Sequence, residues 1–200
     1  MERPMLDYPD RMRMSVEAYL QLDNESRGER YEYVDSYGYM LAGGTNNDGI
    51  ISMNIGYEIR VRLQENRYTI YSSDVKVRLP ERRYLYPDVS VGCDERDSGT
   101  RSFLQFPRVI VEVLSSSTGG YDRGQKFDYY RTCPTLEEYV LVDTQRRAVD
   151  IYRRAKQDLW TLHFFREGDN VELPSLSLTI PIATLYQQVV LASDEEKRED

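Results

Sequence analysis

Asp88, Glu112 and Lys126 are the residues on which chemistry can rest in this chain. The run Arg108-Val-Ile-Val-Glu-Val-Leu-Ser115 is apolar except for Glu112. A short β-branched run of this kind reads as a strand buried on both faces. A carboxylate there costs several kcal/mol unless a cation or a metal ion meets it. Asp88 lies upstream in a second strand, Tyr86-Pro-Asp-Val-Ser-Val91, and Lys126 lies downstream in a helix start, Tyr121-Asp-Arg-Gly-Gln-Lys126. Two acids on neighbouring strands can hold Mg²⁺ through hard oxygen ligands. The ion would activate water and stabilise charge on a phosphate, and a nearby lysine would orient that water or offset the developing charge. Each residue also has a plainer reading. Asp88 after Pro87 can simply open a strand. Glu112 can pair with a buried arginine. Lys126 can make an i, i+4 pair with Asp122.

Other residues can flank such a pocket. Glu32 sits in Tyr31-Glu-Tyr-Val34, where an acid is ordinarily a surface residue. Asp74 and Lys76 alternate along the segment 68–79, which suits either a shared pocket or an edge-strand ion-pair pattern.

The elements that would position these groups follow from local pattern. Ser15 precedes the short helix 15–22 as its N-cap. Residues 31–41 read as a β-hairpin turning near Asp35 to Gly38. A Gly-rich loop covers 43–49. Helical spacing then runs from Ile50 to Gln64, with Ile50, Met53, Ile55, Ile59 and Leu63 inward. Asp48 stands where a helix cap belongs. Strands are expected at 68–79, 86–91, 108–114 and 138–143, with a helix from about Asp122 to Cys133. An antiparallel pair, 148–153 and 160–165, ends the pattern. Helix, three strands, helix and strand make a mixed sheet flanked by helices.

Bulk properties bound the function. The chain has 200 residues, 40% hydrophobic and 30% charged, with 17 tyrosines and a net charge of −8. This composition fits a globular domain and argues against coating nucleic acid by bulk charge. The expected organisation is a flexible arm at 1–14, one domain at 15–190 and a disordered acidic tail at 191–200. Cys93 and Cys133, the two cysteines, suggest free thiols rather than a disulfide framework. No signal peptide and no membrane span is expected, so the expected location is cytoplasmic. His163, the single histidine, lies in a strand with no nucleophile elbow to support a triad.

Taken in order, Tyr86-Pro-Asp-Val, Val111-Glu-Val-Leu-Ser, Asp122-Arg-Gly-Gln-Lys126 with Tyr130, and Glu138-Tyr-Val-Leu-Val-Asp143 resemble the Uma family of restriction endonuclease-like proteins. That family lies within the PD-(D/E)XK nuclease superfamily. The likeness runs from about Ser15 to Ile182, and 86–143 is its specific part. It implies an α/β (α+β mixed) restriction-endonuclease-like αβββαβ core, with an N-terminal β-hairpin and C-terminal antiparallel strands. It also implies a Mg²⁺-dependent phosphodiesterase site, with Mn²⁺ as a substitute. Asp88 matches the superfamily's Asp and Glu112 its second acid. The usual lysine two residues on is Leu114 here, and Lys126 takes its place from the next helix. Glu32 resembles the family's hairpin glutamate, and Asp74 an acid of its first core strand. Relatives often carry a histidine where this chain has Asp48.

The expected activity is therefore that of a Mg²⁺-dependent endodeoxyribonuclease. Asp88 and Glu112 would ligate the ion, Lys126 would position water, and Glu32 would assist. Lys76, Arg78 and Arg123 would meet phosphates of a DNA substrate, and a homodimer would serve cleavage of both strands. The alternative is a non-catalytic nucleic-acid-binding or assembly module that keeps the fold.

Overall fold

The computed structural model describes residues 11–26, 28–63, 67–99, 102–115 and 119–191. The acidic tail beyond 191 and the first ten residues of the expected arm lie outside them.

In chain order the first elements are β1 (Met12–Arg13), α1 (Val16–Glu25), β2 (Tyr31–Val34), β3 (Tyr37–Met40) and α2 (Asn46–Arg62). β4 (Thr69–Ser72), β5 (Lys76–Leu79), β6 (Arg83–Leu85), β7 (Val89–Gly92), β8 (Phe103–Leu104) and β9 (Pro107–Leu114) follow. α3 (Gly119–Tyr121) runs through a π turn, Asp122–Lys126, into α4 (Phe127–Tyr130). The chain ends with β10 (Glu138–Asp143), β11 (Ala148–Arg154), β12 (Trp160–Arg166), β13 (Asn170–Leu173), β14 (Leu178–Pro181) and α5 (Ile182–Leu185).

The core sheet has strand order β12-β11-β10-β9-β7-β4. β9 and β10 are parallel, and the other pairings are antiparallel. The sequence α2, β4, β7, β9, α3–α4, β10 is the expected αβββαβ core. Alternation along β9 divides its side chains between two layers. Val109, Val111 and Val113 pack with Ile51, Ile55 and Ile59 of α2 and with the β13–β14 hairpin. Ile110 and Leu114 pack with Phe127, Tyr130, Tyr139 and Leu141. Glu112 lies between Ile110 and Leu114 in the strand, so it shares their layer.

A second sheet, order β1-β3-β2-β6-β5-β8, closes over that layer through Val34, Val77, Leu79 and Leu85. It was not anticipated beyond its hairpin. It also enlists Met12 and Arg13 of the expected arm, which pair with β3. The segment 68–79 is two strands, not one. β4 joins the core sheet and β5 the second, with a turn in which Ser72 Oγ donates to Asp74 Oδ2 at 3.2 Å. The β2–β3 turn places both Asp35 and Ser36 at positive φ, 49° and 73°. That matches the twist a two-residue hairpin needs.

α2 begins four residues earlier than its apolar spacing suggests, because Thr45 and Asp48 form a capping box. Asp48 Oδ2 accepts the Thr45 N–H at 2.7 Å, and Thr45 Oγ1 accepts the Asp48 N–H. Thr45 is therefore the cap, and Asp48 its reciprocal partner. Thr45→Ala should lower the unfolding free energy by about 1 kcal/mol; an unchanged urea midpoint would contradict the role. Ile51, Ile55 and Ile59 set the buried face, which leaves Met53 73% exposed rather than inward. Both cysteines are free. Among the described residues, no helix is long and apolar enough to cross a membrane.

Candidate active site

Glu112 stands at the middle of the sheet, where β9 is flanked by β7 and β10. In the register Leu141 of β10 faces Glu112 itself, and Val89 of β7 faces the preceding Val111. Asp88 immediately precedes β7, and so comes beside the Glu112 end of β9. Its Oδ2 accepts the Val113 N–H at 2.7 Å, which fixes the carboxylate against β9. Pro87 before it removes a competing donor from the chain at that point.

Lys126 arrives from the helical side. In the π turn Asp122–Lys126, both ends are buried and face the same cluster. Such turns recur at functional sites because the extra residue per turn redirects side chains. Lys126 Nζ lies 2.9 Å from Glu112 Oε1, 3.2 Å from Glu32 Oε1 and 3.8 Å from Asp122 Oδ1. Glu32 reaches in from β2 and also accepts the Tyr86 N–H at 2.9 Å. The second sheet thus holds the lysine from above, while the core sheet presents the acids.

The charges do not balance. Glu32, Glu112 and Asp122 are all buried, Asp88 lies close enough to raise the Glu112 value, and Lys126 is the cation among them. Burial pushes the Glu112 carboxyl well above the usual carboxylate range; Lys126 opposes this, while Asp122, Asp88 and Glu32 add to it. Asp88 is raised as well, first by loss of hydration, against the opposing hydrogen bond from Val113. Burial alone would lower the Lys126 value, but Glu112 and Glu32 outweigh it, and the ammonium is held well above its ordinary pKa. Lys126 is therefore a fixed cation at neutral pH, not a base.

Glu112 Oε1 lies 2.9 Å from the Lys126 ammonium, which Glu32 and Asp122 also approach. Several buried carboxylates around one ammonium leave negative charge suited to a second cation. The donor set fits Mg²⁺. No three Asp, Glu, His or Cys side chains among the described residues form a ready cage. Mg²⁺, however, characteristically takes one or two carboxylates and keeps several waters. Asp88 and Glu112 supply those two.

The structure brings together four of the residues singled out in the sequence: Asp88, Glu112, Lys126 and Glu32. The others do not join that cluster. Asp74 is on the turn after β4, exposed, 3.8 Å from Arg30, and lines one cavity with Asp88. Lys76 is buried, with Nζ 2.5 Å from Asp23 Oδ2, and the Tyr86 hydroxyl donates to the same carboxylate at 2.8 Å. Arg78 lies over the Phe103 ring, and Arg123 pairs with Asp150 at 2.5 Å. Sequence reasoning missed Asp122 as a site member. Its spacing from Lys126 pointed to a pair, but nothing local indicated that the pair would be buried. Tyr130, fully buried with no hydrogen-bond partner for its hydroxyl among the described residues, was also missed; Glu112 and Glu32 add to the upward push that burial gives it.

Comparisons with known proteins agree with this architecture. The family model described as "Uma2: Putative restriction endonuclease" matches residues 16–183. The "Uncharacterized protein slr1290" of Synechocystis sp. is 35% identical over 176 residues, covering 88% of this chain and 92% of its own. The "Uncharacterized protein sll1609" of the same organism is 31% identical over 163 residues, covering 80% and 91%. A crystal structure titled as "a putative nuclease belonging to DUF820" from Anabaena variabilis superposes with a TM-score of 0.73 at 16% identity, covering 88% of this chain and 99% of that one. At that identity the likeness speaks for the restriction-endonuclease-like fold alone.

Proposed function

Because the chain belongs to the Uma2 family, we propose that it is a metal-dependent nuclease that hydrolyses phosphodiester bonds of DNA at the Asp88–Glu112–Lys126 cluster. The observation that carries this reading is the charge imbalance: Glu32, Glu112 and Asp122, all buried, surround the one ammonium among them.

Asp88 and Glu112 would hold Mg²⁺, or Mn²⁺ in its place. The bound ion would supply charge neutralisation at the phosphate and a more acidic water. The chain's own residues do the rest. The Val113 N–H keeps Asp88 in place. Lys126 stays protonated, so its N–H groups can orient a water or meet the charge that develops on the phosphoryl oxygens. Glu32 is a positioning residue: it accepts from Tyr86 and holds the ammonium over the site. Asp122 adds to the negative field that favours a divalent ion. Lys76 and Arg123 are engaged by Asp23 and Asp150, so phosphate contacts fall to other side chains. One site cuts one strand; a two-fold dimer is required only for concerted cutting of both, and molar mass in solution tests it.

The test is nicking of supercoiled plasmid. The wild type should convert it to open circles only when Mg²⁺ or Mn²⁺ is present, and Asp88→Asn should not. A wild type inert on DNA and RNA under every divalent-ion condition would favour the non-catalytic module instead.

A further inference from the structure

A cavity of about 730 Å³ lies between α2 and the β4 edge of the core sheet, and Asp88 forms part of its wall. Of the residues of the carboxylate cluster, Asp88 alone lines it. Gly49, Ser52 and Gly56 line it along α2, with Ile70 and Val89 on the sheet side. The two glycines do not make room for packed neighbours. A β-carbon at Gly49 would meet nothing within 4 Å, and at Gly56 only Val89 Cγ2 at 3.9 Å. Glycine in a helix interior costs about 1 kcal/mol relative to alanine, so the space has been kept at the expense of helix stability. Tyr57, 62% exposed, stands at the rim, and Arg60 lies further along the helix.

We propose that this cavity receives an unpaired nucleotide of the strand to be cut, so that the substrate is DNA with single-stranded character rather than continuous duplex. The inference rests on the nuclease reading of the adjoining cluster. A phosphate at an ion held by Asp88 would have its nucleoside next to the cavity. The volume is within the range of about 300–1,000 Å³ that takes small organic ligands. Bases within a continuous duplex are stacked and cannot enter such a recess unless extruded. The walls offer apolar surface, and Tyr57 supplies an exposed aromatic ring, which suits base stacking without reading sequence. Charge does not favour a duplex: binding that spans one draws on many phosphate contacts, whereas this lining sets Arg30 and Arg60 beside Asp48, Asp74 and Asp88 on a chain of net charge −8. From Gly49 to Arg60 the helix covers about 16 Å at about 1.5 Å per residue, a length of groove suited to a short stretch of one strand.

The experiment is fluorescence anisotropy with a labelled single-stranded DNA, its duplex and the RNA of the same sequence, in Ca²⁺ rather than Mg²⁺, with each labelled strand recovered intact after the titration. The full chain is compared with Tyr57→Ala and Gly56→Leu. Single-stranded DNA should bind tightest to the wild type. Tyr57→Ala should weaken it by about 10-fold, and Gly56→Leu, which fills the cavity, by at least as much, with duplex binding unchanged. Tyr57 is largely exposed, so its alanine variant should melt like the wild type, and this keeps the test valid if Gly56→Leu folds poorly. Equal binding of duplex and single strand, unchanged affinity in Tyr57→Ala, tighter binding of RNA, or no binding at all would overturn the inference. The nuclease reading stands or falls separately on plasmid nicking: nicking with equal duplex binding overturns only the substrate, and single-strand binding with no nicking overturns only the nuclease.

Discussion

Lys126→Met should lower the unfolding free energy by about 3–5 kcal/mol at neutral pH, the usual cost of stripping the partner from a buried charge. Lys126 is the ammonium shared by Glu112, Glu32 and Asp122, all at most 4% exposed. Methionine keeps the length of the side chain and removes the charge, so the carboxylates are left facing one another. The pH dependence has a defined sign. The Glu112 pKa is raised in the folded protein, so its protonated form is the one that folding favours. In the variant that preference strengthens, and protonating the cluster relieves the repulsion. The deficit relative to wild type should therefore be largest above neutrality and shrink as pH falls through the raised Glu112 value. In the wild type, the Lys126 contribution is present below the ordinary lysine pKa and is lost only as pH rises through its raised value. Urea titrations of both proteins at several pH values measure this. A variant as stable as wild type at pH above neutrality would show that the ammonium is not what holds the acids together.

Glu112→Gln should have the opposite profile: a folded protein with the chemistry removed. The amide matches the carboxyl in shape, and Lys126 keeps Glu32 at 3.2 Å. The metal-free protein should thus melt within a few degrees of wild type, about a 1 kcal/mol effect for a chain of this size. An amide cannot supply the charge a divalent ion requires. The rise in melting temperature that Mg²⁺ or Mn²⁺ gives the wild type should vanish. Cleavage should fall about 1,000-fold or more, the equivalent of about 4 kcal/mol of lost charge stabilisation. In the wild type the metal-induced rise should itself grow with pH. Asp88 and Glu112 both have raised values and must lose their protons to bind the ion, so the effect fades as pH drops through them. Cleavage by Glu112→Gln at the wild-type rate would place the active site elsewhere.

The parts of this arrangement that were legible in the sequence were those with a local signature. Glu112 is an acid in an otherwise apolar strand, and the α2, β4, β7, β9, α3–α4, β10 succession follows from periodicity and turn residues. What was hidden depends on distant pairing. The second sheet is built from six strands of two to four residues scattered between Met12 and Leu104, and its β5–β8 contact is parallel. No window of sequence contains that information. The 68–79 segment looks like one strand because its β-forming pattern continues through Ser72 to Asp74, although the Ser72–Asp74 contact turns the chain from one sheet to the other. Lys126 meets Glu32 only because that second sheet lies over the core, and Asp122 faces the cluster only because the helix takes a π turn there. Met53 was read as inward because spacing alone does not choose between faces that differ by one residue; Ile51, Ile55 and Ile59 do.

The central claim is that Asp88 and Glu112 together hold a divalent ion. Anomalous diffraction from crystals soaked in Mn²⁺ tests it most directly. A peak bonded to both carboxylates in the wild type, and missing from Glu112→Gln, is the predicted result. A Mn²⁺ peak that avoids both carboxylates, that persists in Glu112→Gln, or that is nowhere present in a well-soaked wild-type crystal would contradict it.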